Sequence, residues 1–200
     1  MHPISTYKNL HSGKNLFILA SGPSLAHQDL SLLKNKIVMG LNRSILIYPV
    51  PYYQCVFDQR LFDLYPEEFK KVRQLFTLED RPFGLPLKLL GGEGFSWDLE
   101  EGIYSGYTIS YFALQVAVYM GFKKIFFLGL DLKHDGPQTH FFGQDQQTIN
   151  HENTEFPRML KMLSHSADLL AQSNISVYNC SPDTTLEAFK KMMYLDAVAL

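Results

Sequence analysis

Three histidines fall within one polar segment of the sequence, and they are the residues best suited to acid–base chemistry. His134, His140 and His151 all lie in residues 132–156, a segment rich in Gln and Asn. Histidine is the commonest general base, and a long segment without apolar periodicity is typical of a lid or a binding loop. The spacing matches neither His-x₃-His nor HExxH, so we expect no zinc site. We predict a lid loop at about 132–156, and each of its histidines could be either a base that moves over a substrate or a surface residue of the loop.

A turn of small residues follows the first apolar run of the chain. Residues 16–19 are apolar and lead into Gly22, Pro23 and Ser24, of which the last can cap a following helix. A strand, a small-residue turn and a helix N-terminus together present backbone N–H groups to an anion. The turn is neither a GxGxxG nor a Walker A motif, so a phosphate cradle and a purely structural turn both remain open.

Polar residues follow several other predicted strands. Asn42 can donate to and accept from a nucleotide base or ribose, and Ser105–Gly106, just before a long apolar helix, would favour an anion. Asp131 ends the most apolar strand and could hold a ribose, a metal together with Asp58, or only its own loop. Each residue also has a structural interpretation as a turn former or a helix start. Because parallel strands bind ligands at their carboxyl ends, we expect these residues and Ser24 to line one crevice.

The order of elements that must position these residues favours an α/β fold class with a single doubly wound, mostly parallel, Rossmann-like sheet. Apolar runs predict strands at residues 16–19, 37–41, 52–57, 74–78, 87–90, 124–129 and 175–179. The remaining periodic segments predict helices at residues 26–33, 59–73, 109–120, 157–172 and 184–193. We expect one domain that spans residues 1–200.

Composition excludes some classes of function. The chain has 200 residues, a net charge of −2 and no basic excess, so a nucleic-acid partner is not expected. There is no apolar run long enough for a transmembrane helix and no apolar N-terminal segment typical of a secretory signal. Cys55 and Cys180 are the two cysteines and lack metal spacing, which favours reduced thiols in the cytoplasm. The 15 Phe and 11 Tyr favour a lined pocket or a homo-oligomer interface.

Six short motifs occur in order between about residue 15 and about residue 190. They are Gly22–Leu25, Gly40–Asn42, Tyr104–Gly106, Gly121–Asp131, His151–Glu155 and Val177–Pro182. This ordered set resembles the bacterial sialyltransferases that use CMP-sialic acid and modify lipooligosaccharides. The resemblance implies a nucleotide-binding α/β domain that takes a CMP-sugar donor, requires no cofactor and inverts the anomeric carbon of the sugar.

The resemblance also assigns roles to single residues. His151 matches the histidine that deprotonates the acceptor hydroxyl. Where the family has two tyrosines that stabilise the departing phosphate, this sequence has Lys133 and about Thr139–His140, so Lys133 would supply charge as a point donor. The catalytic candidates are therefore His151, His140 and Lys133. The nucleotide-binding candidates are Gly22, Pro23, Ser24, Asn42, Asp58, Ser105, Gly106 and Asp131.

A second family matches some of the same residues. Gly129–Leu132, followed by Gly136 and Thr139–His140, resembles the hydroxymethylpterin-diphosphokinase-like family, whose domains also occur in proteins linked to flagellin glycosylation. This resemblance implies that Asp58 and Asp131 help to hold Mg-ATP. Pyrophosphate would then pass to a small alcohol.

Three functions are thus compatible with the sequence. The first is a sialyltransferase-like glycosyltransferase with a glycan or lipooligosaccharide acceptor, expected in the cytoplasm, with a peripheral location at the inner membrane as an alternative. The second is a Mg²⁺-dependent diphosphokinase-like enzyme. The third is a nucleotide- or glycan-binding domain without catalysis. This third function is suggested by the lack of an arginine that the sialyltransferases have just before their Ser–Gly pair, where this chain has Gly102 or Ile103.

Overall fold

A parallel sheet organises the protein. The computed structural model describes residues 3–133 and 138–200, and this part contains ten strands. They are β1 Asn15–Leu19, β2 Val38–Leu41, β3 Tyr53–Cys55, β4 Leu75–Leu78, β5 Leu85–Leu87, β6 Leu89–Gly91, β7 Ile103–Tyr104, β8 Lys124–Leu128, β9 Ser176–Asn179 and β10 Lys190–Lys191. Eight of them form one sheet in the order β10-β9-β8-β1-β2-β3-β4-β5, and β6 and β7 form a separate pair. Every pairing between these strands is parallel.

Helices cover both faces of the large sheet. The α-helices are α1 Gln59–Leu64, α2 Pro66–Lys71, α3 Ile109–Tyr119, α4 Gln146–Gln172 and α5 Tyr194–Ala199. Short 3₁₀ turns lie at Ile4–Tyr7, Pro23–His27, Leu30–Leu33 and Asn42–Leu46. The predicted fold class, an α/β protein with a single parallel sheet, is confirmed. Of the described helices, none is long and apolar enough to cross a membrane.

The central strand β1 is buried on both faces of the sheet, which accounts for its run of apolar residues. Leu16 and Ile18 pack into the core cluster that includes α3, whereas Phe17 and Leu19 pack on the other face with Leu25. A strand buried on both faces needs apolar residues at successive positions rather than at alternate ones. Burial of each such side chain contributes about 1.5–3 kcal/mol, so β1 is a main source of stability for both layers.

The order in which strands are added to the sheet reverses at β1, with β2 on one side of it and β8 on the other. From β1 the chain runs outward through β2, β3, β4 and β5, and it then returns to place β8 on the other side of β1. Leu19, at the end of β1, pairs with Gly40 in β2 and with Leu128 in β8. The turns that follow these three strands therefore lie side by side at one edge of the sheet. Such a switch point is where open α/β sheets bind ligands.

The predicted lid loop at 132–156 is wrong in its second half, because α4 begins at Gln146. Asp145 caps this helix, and its carboxylate accepts hydrogen bonds from the N–H groups of Gln147 and Thr148. Pro157, predicted at the start of a helix, lies inside α4, where it removes one N–H from the hydrogen-bond ladder. His151 consequently projects from a helix.

Two other helix predictions are wrong in type. The segment at 184–193 contains the edge strand β10, and the last helix begins only at Tyr194. The hydroxyl of Thr184 donates to the carbonyl of Leu130 and so holds the start of this segment near the end of β8, while β10 pairs with β9. The segment at 26–33 forms parts of two 3₁₀ turns in place of an α-helix.

One buried side chain organises the irregular segment before α3. The Gln115 Oε1 accepts from the N–H groups of Ser96 (2.9 Å) and Tyr104 (3.2 Å). Its Nε2 donates to the carbonyl groups of Tyr104 (2.8 Å) and Tyr111 (3.1 Å). The amide of Gln115 thus links α3 to β7 and to the preceding loop.

Candidate active site

A cavity of about 410 Å³ lies at the carboxyl edge of the sheet. The turns after β1, β2, β3 and β8 form its floor, and the first turns of α4 contribute to one wall. Seven of the residues predicted from the sequence line it, and these are Gly22, Asn42, Asp58, Asp131, Lys133, His140 and His151.

The turn after β1 is closed by the protein itself. The Ser24 N–H donates to Asp131 Oδ2 (2.9 Å), and the Ser24 hydroxyl donates to Asp131 Oδ1 (2.5 Å). The Gly22 N–H donates to the carbonyl of Gly129 (2.8 Å). The carboxylate of Asp131 thus occupies the position at which an anion was predicted. Pro23 and Ser24 do not line the cavity.

Ser105 and Gly106 do not line the cavity either. Their N–H groups donate to the carbonyl groups of Gly91 (2.9 Å) and Gly92 (3.0 Å). The cavity is lined instead by residues 107–110, which follow them at the start of α3. The main-chain donors of this pair therefore already have acceptors, and the pair connects the preceding loop to α3.

The turn after β2 has buried polar atoms without partners. Asn42 has a φ of +47°, and its carbonyl accepts from Gln54 Nε2 (2.9 Å), but its buried Oδ1 has no donor among the described residues. Arg43 is 8% exposed, and its guanidinium lies over the ring of Phe142 at 4.6 Å. Arg43 Nη2 pairs with Asp145 (2.6 Å), whereas its buried Nε has no acceptor in the described part of the chain.

Asp145 joins this turn to the neighbouring elements. Burial alone would raise the pKa of Asp145, but the Thr148 N–H, the hydrogen bond and charge of Arg43 and the charge of Arg60 together lower this pKa to about 2. Arg60 also donates from Nε (3.2 Å) and Nη2 (2.7 Å) to both carboxylate oxygens of Asp58. The turns after β2 and β3 are thus held against the start of α4 by paired charges.

The histidines of the cavity differ in their surroundings. His140 is buried, with Nε2 placed 3.3 Å from Glu152 Oε1 and Nδ1 placed 3.0 Å from the Thr139 hydroxyl. Both of its ring nitrogens are therefore engaged. His151 lines the cavity with an exposed side chain and has no hydrogen bond to any described residue. His134 lies outside the described residues.

Sequence reasoning identified one cation of the cavity and missed three. Lys133 lines the cavity and pairs with Asp183. The missed cations are Arg43, Arg60 and Arg81, which also line it. Each lies within about five positions of the end of a strand, so inspection of the basic residues just after each strand would have found them.

The two carboxylates of the magnesium hypothesis are engaged with other groups. Asp58 pairs with Arg60, and Asp131 accepts two hydrogen bonds from Ser24. Within residues 3–133 and 138–200, no group of three His, Cys, Asp or Glu side chains is placed to hold a metal ion. Gly136, part of the second resemblance, lies outside the described residues. This arrangement is a poor fit for a Mg-ATP site.

Comparisons with known proteins support the fold that the first resemblance implied. No protein-family model and no curated protein matches the sequence. Two solved structures of the sialyltransferase CstII from Campylobacter jejuni are similar, and each match covers 90% of this chain and 85% of that chain. The complex with the substrate analogue cytidine-5'-monophosphate gives a TM-score of 0.54 at 17% identity, and the complex with CMP-3FNeuAc gives 0.51 at 15%. At this level of identity the likeness shows a sialyltransferase-like fold.

Proposed function

We propose that the protein is a glycosyltransferase that moves a sialic-acid-like sugar from a CMP-activated donor to a hydroxyl group of a glycan acceptor. The observation that carries the proposal is the cavity at the switch point of a sialyltransferase-like fold, with the imidazole of His151 exposed in it. Asn42 and the neighbouring turn residues would contact the nucleotide. The acceptor would enter from the side of α4.

His151 is the proposed general base. Its ring has no partner among the described residues, so a neutral imidazole there can accept a proton from an acceptor hydroxyl. In this step the acceptor oxygen attacks the anomeric carbon, the proton passes to His151, and the bond from that carbon to the phosphate oxygen breaks. CMP leaves with the electron pair, and the anomeric carbon is inverted. His140 would serve to position the wall of the cavity, because both of its nitrogens are engaged.

Charge on the departing phosphate is proposed to be stabilised by side chains without a metal ion. Lys133 lines the cavity and pairs with Asp183, and we propose that its ammonium group adds positive charge near the phosphate while the bond to the sugar breaks. Activity that is unchanged by EDTA would support this part of the proposal, and activity restored only by added Mg²⁺ would contradict it.

Ligand binding gives the first test. Titration calorimetry with CMP, CDP, ADP and ATP, each with and without Mg²⁺, should show binding of the cytidine nucleotides that does not depend on the metal. Absence of any cytidine nucleotide binding would overturn the proposal. Binding of ATP that strengthens with Mg²⁺ would favour the diphosphokinase-like alternative.

The substitution His151→Ala gives the second test and the largest expected change in activity. We expect CMP release from CMP-sialic acid in the presence of an acceptor to fall by about 10²- to 10⁴-fold, the usual contribution of a general base. CMP affinity should stay within about twofold of wild type. His165→Ala is the matched control, since His165 is an exposed residue of α4 that does not line the cavity. An unchanged rate in His151→Ala would exclude this residue as the base.

The partners remain proposals. The resemblance favours a glycan or lipooligosaccharide acceptor and a cytoplasmic location that could be peripheral to the inner membrane, and the net charge of −2 gives no reason to expect a nucleic-acid partner. The homo-oligomer expected from the aromatic content stays a prediction, and Tyr52 and Trp97 are the aromatic residues among the exposed large hydrophobic side chains of the described chain. Sedimentation velocity measures the oligomeric state directly.

A further inference from the structure

We infer that the side chain of Arg43, and not a main-chain turn, binds the anionic group of the ligand in this cavity. The identity of that ligand as a CMP-sugar rests on the proposed function. The inference about Arg43 itself rests on the surroundings of its guanidinium group.

The first step is that the predicted main-chain anion sites are closed. The N–H and hydroxyl groups of Ser24 both donate to Asp131, and the N–H of Gly22 donates to a carbonyl. The N–H groups of Ser105 and Gly106 likewise donate to carbonyl groups of the preceding loop. The main-chain donors predicted from the sequence are therefore already used within the protein, and the cationic side chains that line the cavity are the next candidates to bind a phosphate or carboxylate.

The second step compares the four cations that line the cavity. Arg60 donates to Asp58 and to side chains at the start of α4. Arg81 donates to a backbone carbonyl and a neighbouring carboxylate, and Lys133 pairs with a carboxylate of the C-terminal segment. Arg43 also has one carboxylate partner, but its buried Nε has no acceptor among the described residues.

The third step is the orientation of the Arg43 guanidinium. The ring of Phe142 covers one face of the group at 4.6 Å. An anion that accepts hydrogen bonds from the guanidinium approaches along an edge, because the N–H bonds lie in the plane of the group. Asp145 holds Nη2 at 2.6 Å, and Nε remains buried without an acceptor in the described chain. The side chain is 10% exposed, so an anionic oxygen would meet it with little competition from water.

The neighbouring Asn42 supplies the complementary group. Its buried Oδ1 lacks a donor among the described residues, and the residue also lines the cavity. Two successive residues thus offer one unmatched donor and one unmatched acceptor. This pair suits a ligand with an anionic oxygen beside a hydroxyl or amino group. In a CMP-sugar the anionic oxygen can belong to the phosphate or to a carboxylate of the sugar.

The experiment measures the affinities of cytidine, CMP and CMP-3FNeuAc by calorimetry for wild type, Arg43→Met, Arg43→Lys and Arg73→Met. Arg43→Met should weaken CMP or its sugar conjugate by about tenfold or more and change cytidine affinity by less than about twofold, as expected for a lost charged hydrogen bond. Arg43→Lys keeps the charge without the planar fork and should give a smaller loss. Arg73→Met is the control, because Arg73 is exposed, lies over Tyr52 and does not line the cavity.

The outcomes separate the two sources of the anion. An equal loss for CMP and CMP-3FNeuAc assigns the phosphate to Arg43, and a loss for CMP-3FNeuAc alone assigns the carboxylate. Unchanged affinities in both Arg43 variants, or equal losses for cytidine and CMP, would overturn the inference. Arg43→Lys keeps the test valid if thermal unfolding shows that Arg43→Met does not fold.

Failure of the proposed function gives a different result. In that case wild type binds none of the three cytidine compounds, and the same variants are titrated with ADP and pyrophosphate. A loss of pyrophosphate binding in Arg43→Met would still support anion recognition by Arg43. Wild type that binds none of these anions would overturn the inference as well.

Discussion

The turns after β1 and β2 lie side by side at the carboxyl edge of the sheet, yet they differ in whether their polar atoms have hydrogen-bond partners. In the first turn, Ser24 and Gly22 direct their donors to Asp131 and to a carbonyl of the protein. In the second turn, Asn42 Oδ1 and Arg43 Nε are buried without partners among the described residues. Buried polar atoms are almost always satisfied in folded proteins, so such exceptions call for a specific cause.

The difference separates the two interpretations that the sequence left open. A turn whose hydrogen bonds are complete stabilises the fold, and its replacement should lower stability. A turn with unmatched buried atoms gains its partners from a ligand, and its replacement should lower affinity more than stability. Four substitutions test this contrast through the free energy of unfolding and the nucleotide affinity.

The largest effect on stability is expected for Asp131→Ala. This change removes the acceptor of both Ser24 hydrogen bonds in a site where Asp131 is 4% exposed. We expect the free energy of unfolding in urea to fall by about 4 kcal/mol, since each bond to a charged group contributes about 1.5–3 kcal/mol. Asp168→Ala, at an exposed position of α4, is the control. An Asp131→Ala protein that keeps its stability but no longer binds nucleotide would contradict this prediction and indicate that the first turn binds the ligand.

Gly22→Ala should lower stability by about 3 kcal/mol, near the upper end of the range for overpacking. The φ of Gly22 is −63°, which alanine adopts easily, but a Cβ atom there would clash with the Asp131 carboxylate and the Gly129 carbonyl. Gly13→Ala tests backbone strain without a steric clash, because a Cβ atom at Gly13 would meet no atom within 4 Å but its φ is +75°. Equal stabilities of wild type and Gly22→Ala, measured by urea unfolding, would show that the first turn is not closely packed on Asp131.

Asp145→Asn sharpens the contrast in the second turn. Burial opposes the charge of Asp145, but hydrogen bonds and the charges of Arg43 and Arg60 lower its pKa from 3.8 to about 2. A lowered pKa stabilises the fold above pH 4, and this contribution is lost as the pH falls through about 2. We expect a deficit of about 2 kcal/mol at neutral pH that disappears between about pH 4 and pH 2. Asp29→Asn is the control in urea unfolding for the loss of a capping carboxylate, because Asp29 caps the Leu30–Leu33 turn and has no cationic partner in the described chain.

The smallest change in stability is expected for Asn42→Gly. Glycine adopts the φ of +47° without strain, and the change removes an acceptor that has no donor in the described part of the protein. We expect the free energy of unfolding to change by less than about 1 kcal/mol, while CMP affinity measured by calorimetry falls by about tenfold. Asn174→Gly is a matched control, because Asn174 is exposed and has a φ of +54°. Retained affinity in Asn42→Gly would contradict a binding role for the second turn.

The sheet could be predicted because its strands are short apolar runs whose burial on both faces leaves little ambiguity. The start of α4 could not, since residues 146–158 contain no buried side chain and therefore no apolar periodicity. A single cap, Asp145, defines that helix start. A polar segment with such a cap looks like a loop in the sequence.

Strand ends predicted which residues would approach the cavity, but not what each would contact there. Asn42, Asp58 and Asp131 were placed at the edge from sequence alone, and all three line the cavity. The bond between Ser24 and Asp131 joins residues 107 positions apart, and no local pattern reports such a pairing. No local pattern reports the ion pair between Arg43 and Asp145 either, because Asp145 is distant in sequence.

The amide side chain of Gln115 has a consequence for how the protein opens. Its Oε1 accepts from the main chain at Ser96 and Tyr104, and its Nε2 donates to Tyr104, much as a neighbouring strand would. We therefore expect hydrogen exchange at these two main-chain N–H groups to be coupled through one side chain of α3. The loop ahead of α3 and the helix itself would then open to solvent as one cooperative unit, next to the residues that line the cavity.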